Sequence, residues 1–161
     1  AIVQSIHEQL ININKQLRLY CEKLKPPLLH TLGLKAALNK LLRETEKKAD
    51  FTLIYDIDQL QLEDPHMPLL IYRILQEMLN NALRHSQATY VKIDVKKQDA
   101  GFDITYMDNG VGCDVTTLAS FPTMGLKGMQ ERVQACNGTI EIDSYPDEGM
   151  QIYISFRGDE K

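Results

Sequence analysis

Apolar residues return at helical spacing in three long stretches of the chain. From Ala1 to about Leu24 they recur every three or four residues in a narrow seam, which predicts a long amphipathic helix that needs a partner. Pro26-Pro27 should end it, because proline lacks a backbone donor and disfavours helix at the preceding residue. A tight connector at 28–33 and a second helix at 34–49 are predicted to follow. The third stretch, from Pro68 to His85, predicts a central helix with a broad apolar face.

Five segments have the β-branched and aromatic content of strands. They are Phe51–Ile57, Tyr90–Lys97, Gly101–Met107, Thr139–Ser144 and Met150–Phe156. A short helix is predicted at about Lys127–Cys136, with Asn137-Gly138 as its left-handed stop. Helices alternating with clustered antiparallel strands predict an α+β fold, an α/β sandwich with helices on one face of a sheet.

Length and composition narrow the class of protein. The 161 residues suggest one compact domain with an appended helix. A net charge of −4 argues against direct binding to nucleic acid or to an acidic membrane surface. Three widely spaced cysteines indicate free thiols rather than a disulfide frame or a zinc site. Because the first residues already follow a helical pattern without a cap, we expect the chain to be part of a longer protein.

The central helix carries a polar face with candidate chemistry. Glu77 and Asn81 are four residues apart and therefore stand on one side of the helix. Their carboxylate and amide oxygens are hard ligands that could share a divalent cation or its water shell. Arg84 and His85, one turn later, could meet phosphate oxygens. Taken alone, this face is more typical of an amphipathic helix whose polar side is simply hydrated.

Two glycine-rich stretches are further candidate functional motifs besides the polar face of this helix. Asp108-Asn-Gly-Val-Gly112 directly follows a strand, where an aspartate can accept a hydrogen bond from an exocyclic amine while the backbone approaches a flat ring. Gly125-Leu-Lys-Gly-Met129 opens a helix, where backbone N–H groups can converge on phosphate. Each stretch is weak evidence alone, because the first also suits an ordinary turn and the second is not a Walker A motif.

The order and spacing of the three motifs over about Phe51–Phe156 resemble the GHKL ATPase superfamily, which includes sensor histidine kinases. The segment Leu24–Leu34 resembles the (R/K)PPLLxxLGL sequence that closes the dimerisation region in the histidine kinase subfamily paired with LuxR/NarL-type regulators. Tyr72–Glu77, His85–Ala88 and Gly125–Val133 fit the same subfamily, whose competence-type members are the most similar. The resemblance implies a Bergerat-type ATP-binding fold that uses ATP and Mg²⁺.

The resemblance also implies a role for individual residues. Asn81 would hold Mg²⁺ against the ATP phosphates, and Glu77 would act in catalysis by orienting a metal-bound water or assisting proton transfer. Asp108 would accept a hydrogen bond from the adenine amino group. The remaining implied nucleotide contacts are Arg84 and His85 near the phosphates, Asn109, Gly110 and Gly112 near the base, and Gly125, Leu126, Gly128 and Met129 at the hinge of a lid over about Cys113–Met124. For Met129, core filling is the simpler interpretation.

Two features depart from the family pattern. Sensor kinases often carry Gly-Thr near the last strand, where the threonine helps fix a water at the adenine, and this chain has Gly149-Met150 instead. His7-Glu8 has the dipeptide of a phosphoacceptor histidine but lies too close to Pro26-Pro27, so we interpret His7 as a helix-surface residue. The acceptor histidine is therefore expected outside this chain.

The resemblance divides the chain into a partial dimerisation region at 1–33, a catalytic domain at 34–158 and a tail at 159–161. It implies a homodimer through the N-terminal helices, a response-regulator partner with a DNA-binding output domain, and a cytoplasmic location within a membrane-anchored bacterial sensor. Two alternatives remain open at this point. One is a stand-alone GHKL protein-serine kinase of the anti-sigma type, and the other is a non-catalytic module switched by nucleotide.

Overall fold

The computed structural model of the protein describes residue 9 and residues 25–116 and 125–158. The helix predicted at 1–24 and the tail at 159–161 therefore lie outside the described residues, apart from residue 9. Most of the predicted lid does too, since residues 117–124 are not described. Among the described residues, no helix combines the length and the apolar character needed to cross a membrane.

The described part contains three α-helices, five strands and one turn of π-helix. In chain order they are α1 (Pro27–Glu46), β1 (Thr52–Ile57), α2 (Met67–Asn81), the π turn (Ala82–Ser86), β2 (Tyr90–Gln98), β3 (Gly101–Asp108), α3 (Leu126–Ala135), β4 (Thr139–Ser144) and β5 (Met150–Arg157). All five predicted strands are confirmed to within one residue at each end. The predicted stop after α3 is also confirmed, because Asn137 adopts the left-handed conformation and the Gly138 N–H bonds back to the Val133 carbonyl.

The connector predicted at 28–33 is wrong for most of its length. Pro27 begins α1, and only Gly33, with φ 83° and ψ −178°, leaves the helical conformation. Proline suits a first helical turn, because its fixed φ is already helical and its missing N–H would have no partner there. The Thr31 hydroxyl also donates to the Pro27 carbonyl one turn back. The segment is therefore a short helical turn and a kink rather than an extended link.

The sheet is mixed rather than wholly antiparallel. Its strand order is β1-β2-β3-β5-β4, with β1 parallel to β2 and every other neighbouring pair antiparallel. The clustered antiparallel strands expected from sequence therefore account for four strands, and β1 is the exception. The connection from β1 to β2 contains all of α2, and a long helical crossover returns the chain in the parallel direction.

The helices cover one face of this sheet, as predicted. Alternate residues of the two central strands, such as Ile104 and Ile154, are fully buried against helix residues such as Leu75 and Met129. The opposite face exposes Tyr153 and Ile54. Period-two burial of this kind follows from the pleat, which sends successive side chains to opposite faces. Because Tyr106 and Asp108 continue the buried series on β3, the end of that strand places polar atoms beneath the C-terminal end of α2.

Candidate nucleotide-binding site

A pocket opens between the C-terminal end of α2, the end of β3 and the start of α3. Eight of the described residues line it: Asn81, His85, Ser86, Tyr106, Asp108, Gly112, Leu126 and Met150. All three sequence motifs therefore contribute to one cavity. Five of these residues carry polar side chains, and the side chains of Leu126 and Met150 supply apolar wall. A mixed lining of this kind suits a flat heteroaromatic ring that carries one polar edge.

Asp108 is the polar anchor of the pocket. It is the last residue of β3, lies opposite Val91 on one side and Met150 on the other, and is only 6% exposed. Its Oδ1 accepts a hydrogen bond from the Gly110 N–H at 2.8 Å, and its Oδ2 accepts one from the Tyr106 hydroxyl at 2.5 Å. Each carboxylate oxygen has two acceptor positions, so both retain one for a ligand.

The electrostatics of the Tyr106–Asp108 pair follow from the burial of both residues. Burial, and then the adjoining Asp108 carboxylate, raise the pKa of the Tyr106 hydroxyl above its usual range. The hydroxyl therefore keeps its proton at every physiological pH and donates it to Asp108. A buried carboxylate is tolerated when such donors compensate for lost hydration.

The loop after Asp108 is held from two sides. The Val111 N–H donates to the Ser86 carbonyl at 2.8 Å, and the Asp147 N–H donates to the Val111 carbonyl at 2.7 Å. A Cβ atom on Gly110 would overlap the Ser86 carbonyl, so only glycine allows the loop this close to the π turn. The DNGVG stretch is therefore a rigid connection between the helix layer and the β4–β5 hairpin.

The C-terminal end of α2 changes its winding next to the pocket. Asn81 is the last α-helical residue, and the π turn at 82–86 then widens the helix before the chain turns at Gln87, which has φ 49°. Ser86 stabilises this end, since its hydroxyl donates to the Ala82 carbonyl at 2.7 Å and accepts the Ala88 N–H at 3.2 Å. Widened helical turns are frequent at functional sites because they redirect side chains. Here the change of winding brings His85 and Ser86 to the pocket beside Asn81.

The third motif begins α3 directly beside Glu77. Gly125 precedes the helix with φ 62°, and its carbonyl accepts the Met129 N–H at 2.9 Å. A Cβ atom on Gly125 would overlap the Glu77 carboxylate. Glycine at this position therefore lets the helix start approach the acidic side chain of α2. Leu126, 3% exposed, is the residue of this motif that lines the cavity.

The structure brings most of the predicted site residues together, but not all. Asn81, His85, Asp108, Gly112 and Leu126 line the pocket, Gly110 supports Asp108, and Glu77 meets Gly125. Seven predicted residues are therefore not among the lining residues. Glu77, Gly110 and Gly125 have the contacts just named, and the other four are Arg84, which is exposed; Asn109; Gly128, within α3; and Met129.

Two of those four have structural contacts of another kind. The Asn109 side-chain oxygen accepts the N–H groups of Thr89 and Tyr90, both at 3.0 Å, and its amide nitrogen donates to the Thr89 hydroxyl. The amide thus fastens the loop to the start of β2. Met129 is 0% exposed and belongs to the core, which agrees with the simpler interpretation of that residue.

Sequence reasoning missed Ser86 and Tyr106 as pocket residues. The signal for Tyr106 was available, because alternation along β3 places it on the same face as Asp108, two residues later. The signal for Ser86 was weaker, because its position depends on the π turn. Met150 was noticed only as a departure from the family pattern, and the register with Asp108 places it in the wall.

Comparison with known proteins now defines the class. The chain belongs to the family described as histidine kinase-, DNA gyrase B-, and HSP90-like ATPase, which matches residues 67–160. All three motifs and the pocket lie within that range. The resemblance drawn from the motifs is therefore confirmed, and the domain is one of an ATP-binding family.

Among curated proteins, the chain is homologous to sensor histidine kinases. It is 32% identical over 160 residues to the sensor histidine kinase ComP of Bacillus subtilis, covering 94% of this chain and 21% of that protein. It is 30% identical to the oxygen sensor histidine kinase NreB of Staphylococcus carnosus, covering 94% of this chain and 43% of that protein. The chain thus spans less than half the length of these relatives. Their names agree with the subfamily that the flanking segments indicated.

Solved structures agree on the fold. The histidine kinase AdeS of Acinetobacter baumannii superposes with a TM-score of 0.64 at 20% identity, covering 96% of this chain and 84% of that one. The ATP-binding domain of PrrB from Mycobacterium tuberculosis superposes with a TM-score of 0.58 at 20% identity, covering 77% and 93%. The α+β architecture is therefore that of histidine kinase ATP-binding domains, as predicted.

Proposed function

We propose that the chain is the part of a two-component sensor histidine kinase that binds Mg-ATP and delivers its γ-phosphate. The phosphate would pass to a histidine outside this chain and then to an aspartate of a response regulator. The observation that carries the proposal is the buried Asp108 carboxylate. It lines a pocket that is also lined by Asn81 and by Leu126 in the first turn of α3.

ATP fits the pocket by the chemistry of its lining. Asp108 would accept a hydrogen bond from the adenine amino group, and the close approach that Gly110 and Gly112 permit would let the ring lie against backbone. Leu126 and Met150 would contact the ring through apolar surface. The phosphates would extend toward the start of α3, where unsatisfied N–H groups and the helix dipole favour negative charge. Arg84 and His85 would then lie on the phosphate side.

Mg²⁺ would be held by few protein ligands. Within the described ranges no three His, Cys, Asp or Glu side chains cluster into a metal site of their own. The Asn81 amide nevertheless lines the pocket, and Glu77 is one helical turn away on the same helix. Magnesium typically takes one or two protein oxygens together with substrate phosphates and water, so this donor set fits it. When bound, the ion would neutralise charge that develops on the phosphates.

The remaining roles belong to the chain's own residues. Glu77 would orient a water or assist proton transfer. Its carboxylate packs against Gly125 at the start of α3, the helix end toward which the phosphates would extend. The segment from about Cys113 to Met124 would act as a lid with Gly125, Leu126 and Gly128 at its hinge. In phosphoryl transfer, positioning and electrostatic stabilisation supply most of the rate enhancement, so such groups need little covalent chemistry.

The wider assembly is proposed by analogy with the relatives. Sensor histidine kinases imply a response-regulator partner, and the subfamily implies that this regulator carries a DNA-binding output domain. We further propose that residues 1–33 contribute to a dimerisation region and that this portion works in the cytoplasm of a membrane-anchored parent. The two alternatives, an anti-sigma serine kinase and a non-catalytic switch, are not favoured, because the curated relatives cited are named as sensor histidine kinases.

Calorimetric titration with ATP, in the presence and absence of Mg²⁺, tests the site. The chain should bind ATP, and Asp108→Asn should weaken binding at least tenfold, since the amide presents a donor where the adenine amine also donates. Asn81→Ala should leave metal-free ATP binding within about twofold and remove the gain that Mg²⁺ gives.

Matched controls make the result specific. Asn80→Ala alters the exposed neighbour of Asn81, and Asp143→Asn alters an exposed aspartate on β4, so both should bind Mg-ATP as the parent does. Absence of ATP binding in the parent chain would contradict the proposal. Binding that survives both site substitutions would place the nucleotide elsewhere.

A further inference from the structure

The hydroxyl of Tyr106 has no place in the proposed function, yet it lies in the pocket. Tyr106 is 2% exposed, and its hydroxyl donates to Asp108 Oδ2 at 2.5 Å. Of the described residues that line the pocket, only Ser86 and Tyr106 carry hydroxyl groups. The Ser86 hydrogen is already committed to the Ala82 carbonyl. Tyr106 is therefore the hydroxyl group available to act on Asp108.

The two donors hold the Asp108 carboxylate in one orientation. Gly110 N–H fixes Oδ1 and the Tyr106 hydroxyl fixes Oδ2, so rotation of the carboxylate would break at least one bond. Hydrogen bonds to a charged acceptor are among the stronger ones in proteins. The acceptor positions that remain free on both oxygens are thereby aimed before any ligand arrives, which lowers the cost of binding.

The hydrogen bond between Tyr106 and Asp108 also determines which kind of ligand group suits this part of the pocket. Because the Tyr106 hydrogen is committed to Asp108, the Tyr106 oxygen can only accept a further hydrogen bond. The Met150 side chain, directly across the sheet from Asp108, carries no polar hydrogen. Asp108 and Tyr106 together thus present hydrogen-bond acceptors, which match a ligand that carries an amine.

We propose that Tyr106 is a positioning and specificity residue of the nucleotide site, which orients Asp108 so that it selects the exocyclic amine of adenine. The inference rests on the proposed function, in which Asp108 receives that amine. Tyr106 acts through Asp108 rather than on the phosphates. Its effect should therefore depend on the presence of the amine in the ligand.

A thermodynamic cycle between protein and ligand tests this. Dissociation constants are measured calorimetrically for the parent chain and Tyr106→Phe, each with ATP and with purine riboside triphosphate, which has hydrogen in place of the amine. The parent should prefer ATP. In Tyr106→Phe, ATP affinity should fall about tenfold while affinity for the amine-free analogue changes by less than about twofold, so the preference shrinks by most of that factor.

Tyr72→Phe is the matched control. Tyr72 is a half-buried tyrosine on α2 that does not line the pocket, so loss of its hydroxyl should leave the preference for ATP unchanged. Thermal unfolding of both variants verifies that the fold is kept. Equal weakening of both nucleotides in Tyr106→Phe would overturn the inference, since it would mean that the hydroxyl only supports the structure. An undiminished preference would overturn it too.

The same measurements separate this inference from the proposed function. If the parent chain binds neither nucleotide, the proposed function fails and this inference fails with it. If the parent binds both nucleotides equally, ATP binding stands, but Asp108 does not select the amine and this inference fails. If the parent prefers ATP and Tyr106→Phe retains that preference, only the role of Tyr106 fails.

Discussion

Single glycines in the motifs have different functions, which their surroundings decide. Gly110 approaches the Ser86 carbonyl so closely that no side chain fits, and the blocking atom belongs to rigid backbone. Gly128 lies inside α3, where an added Cβ would come within 3.3 Å of the end of the flexible Arg132 side chain. The sequence pattern treats both as equivalent motif glycines. In the structure, close packing requires glycine at position 110, whereas the helix at position 128 has room for a small side chain.

Replacing each of these two glycines by alanine should therefore have opposite effects on the stability of the protein. Gly110→Ala should lower the free energy of unfolding by about 2 kcal/mol or more, because backbone at the π turn or in the loop must move. Gly128→Ala should raise it by about 0.5 kcal/mol, because alanine loses less backbone entropy in a helix. Urea denaturation followed by circular dichroism measures both. Equal effects of the two substitutions would contradict this distinction.

For single residues, the sequence motifs predicted some members of the site and not others. Asp108 and Asn81 were predicted because their residue types and spacing carry the chemistry directly. Tyr106 was not, because a tyrosine before a motif is ordinary strand composition until the strand register and the facing helix are known. Asn109 was predicted at the nucleotide from its place in the motif, yet its amide bonds to Thr89 and Tyr90. Position in a motif does not determine where a side chain points.

At the scale of the element, β3 and β5 are joined by an ion pair as well as by their backbones. The Arg157 guanidinium donates to Asp103 Oδ1 at 2.8 Å, and the Gln98 amide donates to Oδ2 at 2.8 Å. Burial alone would raise the pKa of the Asp103 carboxyl. Hydrogen bonds from Arg157, Tyr153 and Ser155 outweigh burial, so that pKa lies below its usual range. Protonation of Asp103 is therefore coupled to unfolding.

The direction of this coupling can be measured. A carboxyl whose pKa is lower in the folded protein contributes stability above its unfolded pKa of about 3.9, and that stability is lost as pH falls through the lower folded pKa. Asp103→Asn should therefore cost about 1 kcal/mol near pH 6, and the difference from the parent should shrink below pH 4. Urea denaturation across pH 2.5–7 provides the comparison.

Asp56→Asn is the control for this effect. Lys96 lowers the pKa of Asp56 through a hydrogen bond, but the Asp56 side chain is 66% exposed, so water screens the pair. Its substitution should change stability less than Asp103→Asn at every pH. A difference for Asp103→Asn that stays constant or grows in acid would exclude the coupling.

At the scale of the whole molecule, the fold was more predictable than its connections. The strands were predicted from their residue content, and for β2 the alternation of apolar and polar residues also predicted the inward face. The observed burial of β2 alternates in the same way, and a one-residue error would move every apolar side chain to the wrong face. The parallel pairing of β1 was missed, because the same apolar pattern suits either direction. The helical turn after Pro26-Pro27 and the π turn were missed for another reason. Both depend on local backbone geometry that periodicity does not report.

The core extends beyond the range that defines the family. The family matches from residue 67 onward, but α1 and β1 precede it and bury Leu38, Leu42 and Leu53 in the same cluster as the central strands. Without these elements the outer side of α2 and the edge of β2 would be exposed to water. We therefore expect the folding unit of the described chain to include α1 and β1, and the boundary at residue 34 stays a prediction.

Leu42 offers a direct test of this boundary, because it is 0% exposed although it lies 25 residues before the family match begins. Leu42→Ala should lower the free energy of unfolding by about 2–5 kcal/mol, the cost of removing buried methyl groups and leaving a cavity. Leu32→Ala, at a site 69% exposed on the same helix, should change it by less than about 0.5 kcal/mol. Both variants should unfold in a single transition by circular dichroism and by calorimetry, because one core joins the helices to the sheet. A separate early transition in Leu42→Ala, with the remaining domain as stable as the parent, would show that α1 is an accessory helix and that the catalytic domain begins after it.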